Sequence, residues 1–159
     1  MLDNNHGLVY LCGKYGGGKT HAGKIAVVET VVKKMRAKYW ILSALMDHLR
    51  ESFSVIPGRG EELQTTRLNN ILETDLLVLD EIDKVRDTPY AKEKLTEIIY
   101  TRHAMSIDRC KGMTILISNK QPGEFLSDYE VSRVTDASFT MICIEEDGYD
   151  FRQVPEKMR

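Results

Sequence analysis

Residues 13–20 read GKYGGGKT, an instance of the pattern G-x-x-x-x-G-K-[ST]. That run suits the holding of a polyphosphate. Glycine backbones can turn so that successive N–H groups face one anion. A helix starting near Lys19 would add the positive end of its dipole at the same spot. On this reading Gly13, Gly16, Gly17 and Gly18 shape the cradle and Lys19 reaches the β- and γ-phosphates. The Thr20 hydroxyl binds Mg²⁺, and His21 completes the candidate nucleotide-binding set. The alternative is a glycine-rich turn that holds nothing.

A second candidate lies some sixty residues downstream. Residues 76–83 read LLVLDEID, an apolar run ending in carboxylates. Asp80 would hold Mg²⁺, mostly through water, and Glu81 would orient or deprotonate an attacking water. Asp83 reads as a supporting or structural acid and Lys84 as solvated. Taken alone, the acids could simply cap a helix. Residues 113–122, MTILISNKQP, form another apolar run that turns polar. Asn119 there could hold the attacking water or sense the γ-phosphate; in isolation it would be a turn residue. Arg133 can stabilise phosphoryl-transfer charge if supplied by a neighbouring subunit, or form a surface salt bridge to Glu130 or Asp136.

Elements must position these groups. The runs at 8–12, 76–80, 113–118 and 139–144 are apolar on both faces, as strands of a covered parallel sheet require. Residues 39–42 (YWIL) are a fifth candidate. Between them lie helical spacings. Ile25, Val28, Val32 and Met35 form one stripe, Leu42, Leu45 and Leu49 another. Leu95, Ile98 and Arg102 form a third, which Pro89 can start. The Arg102 stem is expected to be buried and its head exposed. Residues 54–62 are expected to be a surface loop. Alternating strands and helices predict an α/β layer fold with right-handed crossovers.

Composition bounds the rest. The chain has 159 residues, 42% hydrophobic and 29% charged, with net charge −2. One domain of that size buries roughly 70% of its unfolded surface. The charge balance excludes a strongly basic domain gripping nucleic acid by bulk charge. The cluster Lys33, Lys34, Arg36 and Lys38 is explained by a helix C-terminus, with nucleic-acid contact as the alternative. Cys12, Cys110 and Cys143 have no zinc spacing and read as free thiols of a reducing, cytoplasmic protein. No apolar run is long enough for a membrane helix, and no secretory signal is apparent.

The ordered set GLVYLCGKYGGGKTHAGK, DLLVLDEID, GMTILISNKQP, VSRVTDAS and DGYDFR resembles the AAA+ ATPases of the DnaC-like helicase loaders. IstB-type transposition ATPases share the plan. The resemblance covers about residues 7–152. It implies a three-layer P-loop domain with a mostly parallel five-stranded sheet, order 5-1-4-3-2, and little or no C-terminal lid. It identifies residues 13–20 as Walker A and the LLVLDEID run at 76–83 as Walker B, gives Asn119 the sensor 1 role and makes Arg133 an arginine finger. Arg102 would match an arginine on the helix before sensor 1. Arg152 lies in a closing pattern from which the family's serine is missing. Tyr15 and its glycines stand where the family commonly has proline. The family's helicase-gripping N-terminal segment is expected to be absent.

What the resemblance implies is Mg²⁺-dependent ATP hydrolysis, weak in the monomer, with ATP or ADP as ligand. The nucleotide state would control assembly and binding to a replicative helicase or other protein, and to single-stranded DNA, in DNA replication. The assembly would be a homo-oligomer or a hetero-assembly through the arginine-finger interface. Two alternatives stay open. One is a nucleotide-binding regulator with little turnover, such as a transposition helper or phage inhibitor. The other is a small P-loop kinase.

Overall fold

A computed structural model gives the fold and describes residues 6–55, 58–85, 87–136 and 140–145. Of residues 140–145 it gives the backbone pairing. The chain runs β1 (His6–Gly13), α1 (Lys19–Val32), β2 (Ala37–Ile41), α2 (Leu42–Arg50), α3 (Ser52–Val55), α4 (Gly60–Leu72) and β3 (Leu76–Asp80). It continues with α5 (Pro89–Arg109), β4 (Gly112–Ile117), α6 (Asp128–Val134) and β5 (Thr140–Glu145). Short 3₁₀ turns occupy Ile82–Lys84 and Pro122–Glu124.

The sheet has the order β2-β3-β4-β1-β5, and every neighbouring pair is parallel. Its inner strands follow the expected alternation. Leu77 and Leu79 face one side, Leu76 and Val78 the other. Together with β1 and β4, the first side packs on α2, α4, α5 and α6 through residues such as Leu45, Ile71 and Ile98. The second side packs on α1 through Ala26 and Val27. Each buried aliphatic side chain of this kind contributes about 1.5–3 kcal/mol. Asp80 shares the parity of Val78, so it points toward α1.

Helix α1 corrects the expected stripe. Ile25, Val28 and Val32 are exposed, while Gly23 is buried. A Cβ at Gly23 would stand 2.8 Å from Ile117 Cδ1 and 3.0 Å from Val78 Cγ1. The bare glycine lets the helix lie close on the sheet, and that contact sets which face turns inward. The expected loop at 54–62 is shorter too. Its ends belong to α3 and α4, and Gly60 starts the latter helix against Phe53. The YWIL strand ends at Ile41, with Leu42 opening α2. Helix α5 starts at Pro89 as expected, capped by the Thr88 side chain.

Arg102 departs from expectation most. Its stem and its guanidinium are both buried. Nε donates to Thr114 Oγ1 at 2.8 Å, Nη1 to the Leu72 and Thr74 carbonyls at 2.6 and 2.7 Å, and Nη2 to the Met113 carbonyl at 2.5 Å. Burial pushes its pKa down to about 10, countered by Glu73 and Asp75. The cation therefore satisfies carbonyls at the end of α4, just before β3 and in β4, groups a chain reversal otherwise leaves unpaired. Gly112, at φ +83°, passes so close that a Cβ would meet Arg102 Cζ at 2.9 Å. Arg102→Met should fill the space but orphan these carbonyls, costing about 3 kcal/mol or more. Urea denaturation would read the loss, and an unchanged midpoint would contradict it.

Candidate functional site

The loop at 13–20 leaves the C-terminal end of β1 and enters α1. Gly13, Gly16 and Gly18 have φ of 142°, 84° and 81°, values that side-chain-bearing residues rarely adopt. Gly18 is the N-cap and provides no side-chain oxygen, so the first N–H groups of α1 have no side-chain cap. That leaves them directed at the mouth of the loop, the arrangement that binds anions. Lys19 folds back over the loop, its ammonium donating to the carbonyls of Gly13 at 2.8 Å and Lys14 at 2.6 Å.

Asp80 ends β3 on the same sheet edge and is 3% exposed. Its Oδ2 accepts from the Thr20 hydroxyl at 2.7 Å and from the Tyr39 phenol at 2.5 Å. Its Oδ1 accepts from the Glu81 N–H at 2.7 Å. All three donors are neutral. Neutral dipoles hold the carboxylate in place without an ion pair among the described residues. With the Thr20 hydroxyl beside it, this is a hard-oxygen donor pair, and it fits Mg²⁺, which takes few protein ligands and keeps several waters. Among the described residues no group of three or more His, Cys, Asp and Glu side chains gathers as a metal cage.

A cavity of about 400 Å³ unites these parts. Gly16, Gly17, Gly18, Lys19, Thr20 and His21 line it from the loop side, Asp80, Glu81 and Asn119 from the strand ends. Every sequence-predicted group except Gly13 and Arg133 therefore borders one space. Gly13 contributes its carbonyl beneath Lys19 instead. Glu81 has left-handed backbone angles, φ 55° and ψ 39°. That bend aims its carboxylate across the cavity mouth, where Oε1 pairs with Lys84 at 2.7 Å. Lys84 is thus not merely solvated. It lines the cavity, stands 5.2 Å from the Tyr15 ring centroid, and has its pKa raised by Glu81.

Asn119 is tied to the acidic turn. Its N–H and Nδ2 donate to the two carboxylate oxygens of Asp83 at 3.2 and 3.5 Å. Asp83 thus holds the Asn119 backbone and amide in place. Tyr10 supports the next residue, its phenol donating to the Lys120 carbonyl at 2.9 Å.

Arg133 sits on α6, away from the cavity lining. Its guanidinium lies 3.6 Å from the Tyr129 ring centroid and 5.1 Å from that of Tyr100, and Nη1 donates to the Tyr129 carbonyl at 2.9 Å. The expected partner Glu130 is otherwise engaged. Its carboxylate accepts from Thr96 at 2.6 Å and from Ser127. Arg152 and any lid lie outside the described residues.

Sequence reasoning missed Tyr39. It stands in a short edge strand and carries no motif, so nothing in its spacing marked it. The basic cluster also resolves in part. Arg36 joins strand ends, its Nη2 donating to the Glu73 carbonyl at 2.6 Å and its backbone N–H to Asp75 at 2.8 Å.

No protein-family model and no curated protein matches the sequence. Solved structures do match in shape. Domain III of the replication initiation protein DnaA from Thermotoga maritima superposes with a TM-score of 0.69 at 19% identity, over 90% of this chain and 56% of that one. The DnaC helicase loader gives 0.66 at 19%, over 89% and 79%. The replication initiator DnaA bound to AMPPCP and single-stranded DNA gives 0.68 at 20%, over 88% and 40%. The chain thus spans about two fifths of that initiator's length. At these identities the likeness concerns the fold alone, a parallel α/β sheet covered by helices. Among the described residues no helix is long and apolar enough to cross a membrane.

The tyrosines give a test of the described geometry. Burial raises the pKa of Tyr10, of Tyr39 (further raised by Asp80) and of Tyr90. A phenol raised above its unfolded value of about 10 contributes stability that is complete below that pH and lost as pH climbs further. Phenolate absorbance should therefore show the exposed tyrosines titrating first, with these ionising only as the fold is lost at higher pH. A single transition near 10 for all seven tyrosines would contradict the burial.

Proposed function

We propose that this chain is a Mg²⁺-dependent ATP-binding and ATP-hydrolysing module of the helicase-loader kind. On this reading nucleotide state controls its assembly and its grip on a partner protein or single-stranded DNA. One observation carries it. Thr20 and Asp80, sixty residues apart, meet at 2.7 Å on the lip of a cavity that also holds Lys19 and Glu81. A glycine-rich turn without ligand has no need of that meeting.

The residues divide the work. The backbone N–H groups of 16–20 and the Lys19 ammonium bind the phosphates, Lys19 exchanging two carbonyls for β- and γ-oxygens. Thr20 directly and Asp80 through water would hold Mg²⁺, which neutralises charge on those oxygens. Glu81 orients the attacking water and takes its proton, and Asn119 fixes that water's other side. Arg133 completes the site of a neighbouring subunit. The shape likeness to replication initiators and a helicase loader supports the biological setting.

A second reading, a nucleotide-regulated adaptor with little turnover, has its own support. One oxygen of the Glu81 carboxylate is engaged by Lys84, where the ammonium competes with an attacking water for it. Glu81→Gln separates the two. Loss of hydrolysis and of partner control together favours the ATPase, whereas intact control favours the adaptor.

Lys19→Ala should abolish ATP binding measured by calorimetry, and unchanged affinity would reject the phosphate-loop assignment. Arg133→Ala should keep ATP affinity while lowering turnover on the order of a thousandfold. Mixing it with Lys19→Ala chains should restore part of the activity. No restoration would refute action in trans.

A further inference from the structure

The geometry points to Tyr39 as a positioning residue of the metal site, an inference that rests on the Mg²⁺ assignment above. Its phenol fixes the Asp80 carboxylate so that one oxygen is committed to protein donors and the other remains for the cation's water shell.

Three elements converge on this carboxylate. Thr20 comes from the first turn of α1, Tyr39 from β2 and Asp80 from the end of β3. The register aligns them. Ile41 pairs with Asp80 and Tyr39 with Val78, so Tyr39 and Asp80 share the α1 side of the sheet. Along the strands the two positions are offset by two residues, about 6.6 Å at the usual rise. A phenol covers that offset from a strand position, and a serine or threonine hydroxyl does not. The ring itself packs in the α1-side core with Val78 and Val27, and the Lys24 ammonium lies 5.5 Å from its centroid. The ring is therefore held on its length, and only the hydroxyl enters the site.

The hydrogen-bond inventory gives that hydroxyl its role. A carboxylate oxygen has two lone-pair sites. Oδ2 accepts from Thr20 and Tyr39, which fills both. Oδ1 accepts the Glu81 N–H alone and keeps one site. The carboxylate plane cannot turn without breaking one of three short bonds. Without Tyr39, Oδ2 would keep one donor, and two bonds instead of three would hold the carboxylate's orientation. A ligand whose orientation is set by outer-shell bonds loses metal affinity when they are removed, typically 10–100-fold. Filling of the core alone does not require this. Phenylalanine would pack equally well at Tyr39, so the ring and the hydroxyl have separable tasks.

Tyr39→Phe separates them. ATP binding is measured by calorimetry in EDTA and then across a Mg²⁺ series, for wild type, Tyr39→Phe and Asp80→Ala. A thermal melt in EDTA checks the fold of each. Tyr39→Phe is expected to bind ATP in EDTA as wild type does, and to need roughly tenfold more Mg²⁺ to reach its full affinity. Asp80→Ala should need at least as much. An unchanged or lowered Mg²⁺ requirement in Tyr39→Phe, with that of Asp80→Ala raised, overturns the positioning role and leaves the metal site standing. An unchanged requirement in Asp80→Ala removes the metal assignment and this inference with it, while the EDTA titrations still judge the phosphate loop separately.

Discussion

The carboxylate of Asp80 is the constraint around which the molecule is arranged. A buried anion costs several kcal/mol unless its lone pairs are met, and among the described residues no cationic side chain forms an ion pair with it. Hydroxyls and one N–H do so, each brought from a different element. For that to happen β2 must lie beside β3 in exact register, and α1 must descend onto the sheet closely enough for Thr20 to arrive. Gly23 is what permits the descent. Much of the local architecture thus serves to bring neutral donors to one charge without cancelling it.

Arg102 solves the complementary problem at the other end of the sheet. There the excess is of acceptors. Helix α4 ends, the chain turns into β3, and β4 begins nearby, so carbonyl oxygens crowd a region that water does not reach. One guanidinium with a planar fork of donors meets three of them and the Thr114 hydroxyl. The sheet is thus bounded by an anion held by donors at its working edge and a cation held by acceptors at the opposite one.

The sequence makes the strands legible because runs apolar on both faces belong to covered parallel strands, and LVYLC, LLVLD and MTILIS all became β-structure. The loop at 13–20 and the acid pair at 80–81 are legible as spacings, and the structure brings both to one cavity. What was hidden depended on partners distant in the chain. Helix α1 is apolar around most of its circumference, so Ile25, Val28 and Val32 marked a stripe as plausibly as Ala26 and Val27 did, and a single glycine decided between them. The head of Arg102 was misjudged because three of its four acceptors are backbone carbonyls, which leave no mark in residue types. Tyr39 was invisible for a similar reason: only the pairing of β2 with β3 brings its hydroxyl to Asp80. The PGRG composition likewise concealed a helix start, since Gly60 is there to let Phe53 approach rather than to make a turn.

The folded-back posture of Lys19 has a selective consequence. Two carbonyl oxygens hold its ammonium at 2.8 and 2.6 Å, so an incoming anion competes with acceptors already in contact. A singly charged, diffuse anion gains little by that exchange, since it replaces good dipoles with a weak ion. Only a densely charged chain of oxygens, spanning both the helix end and the lysine, gains from the trade. On the proposed phosphate-binding reading, the loop would filter by charge density before any nucleobase is read.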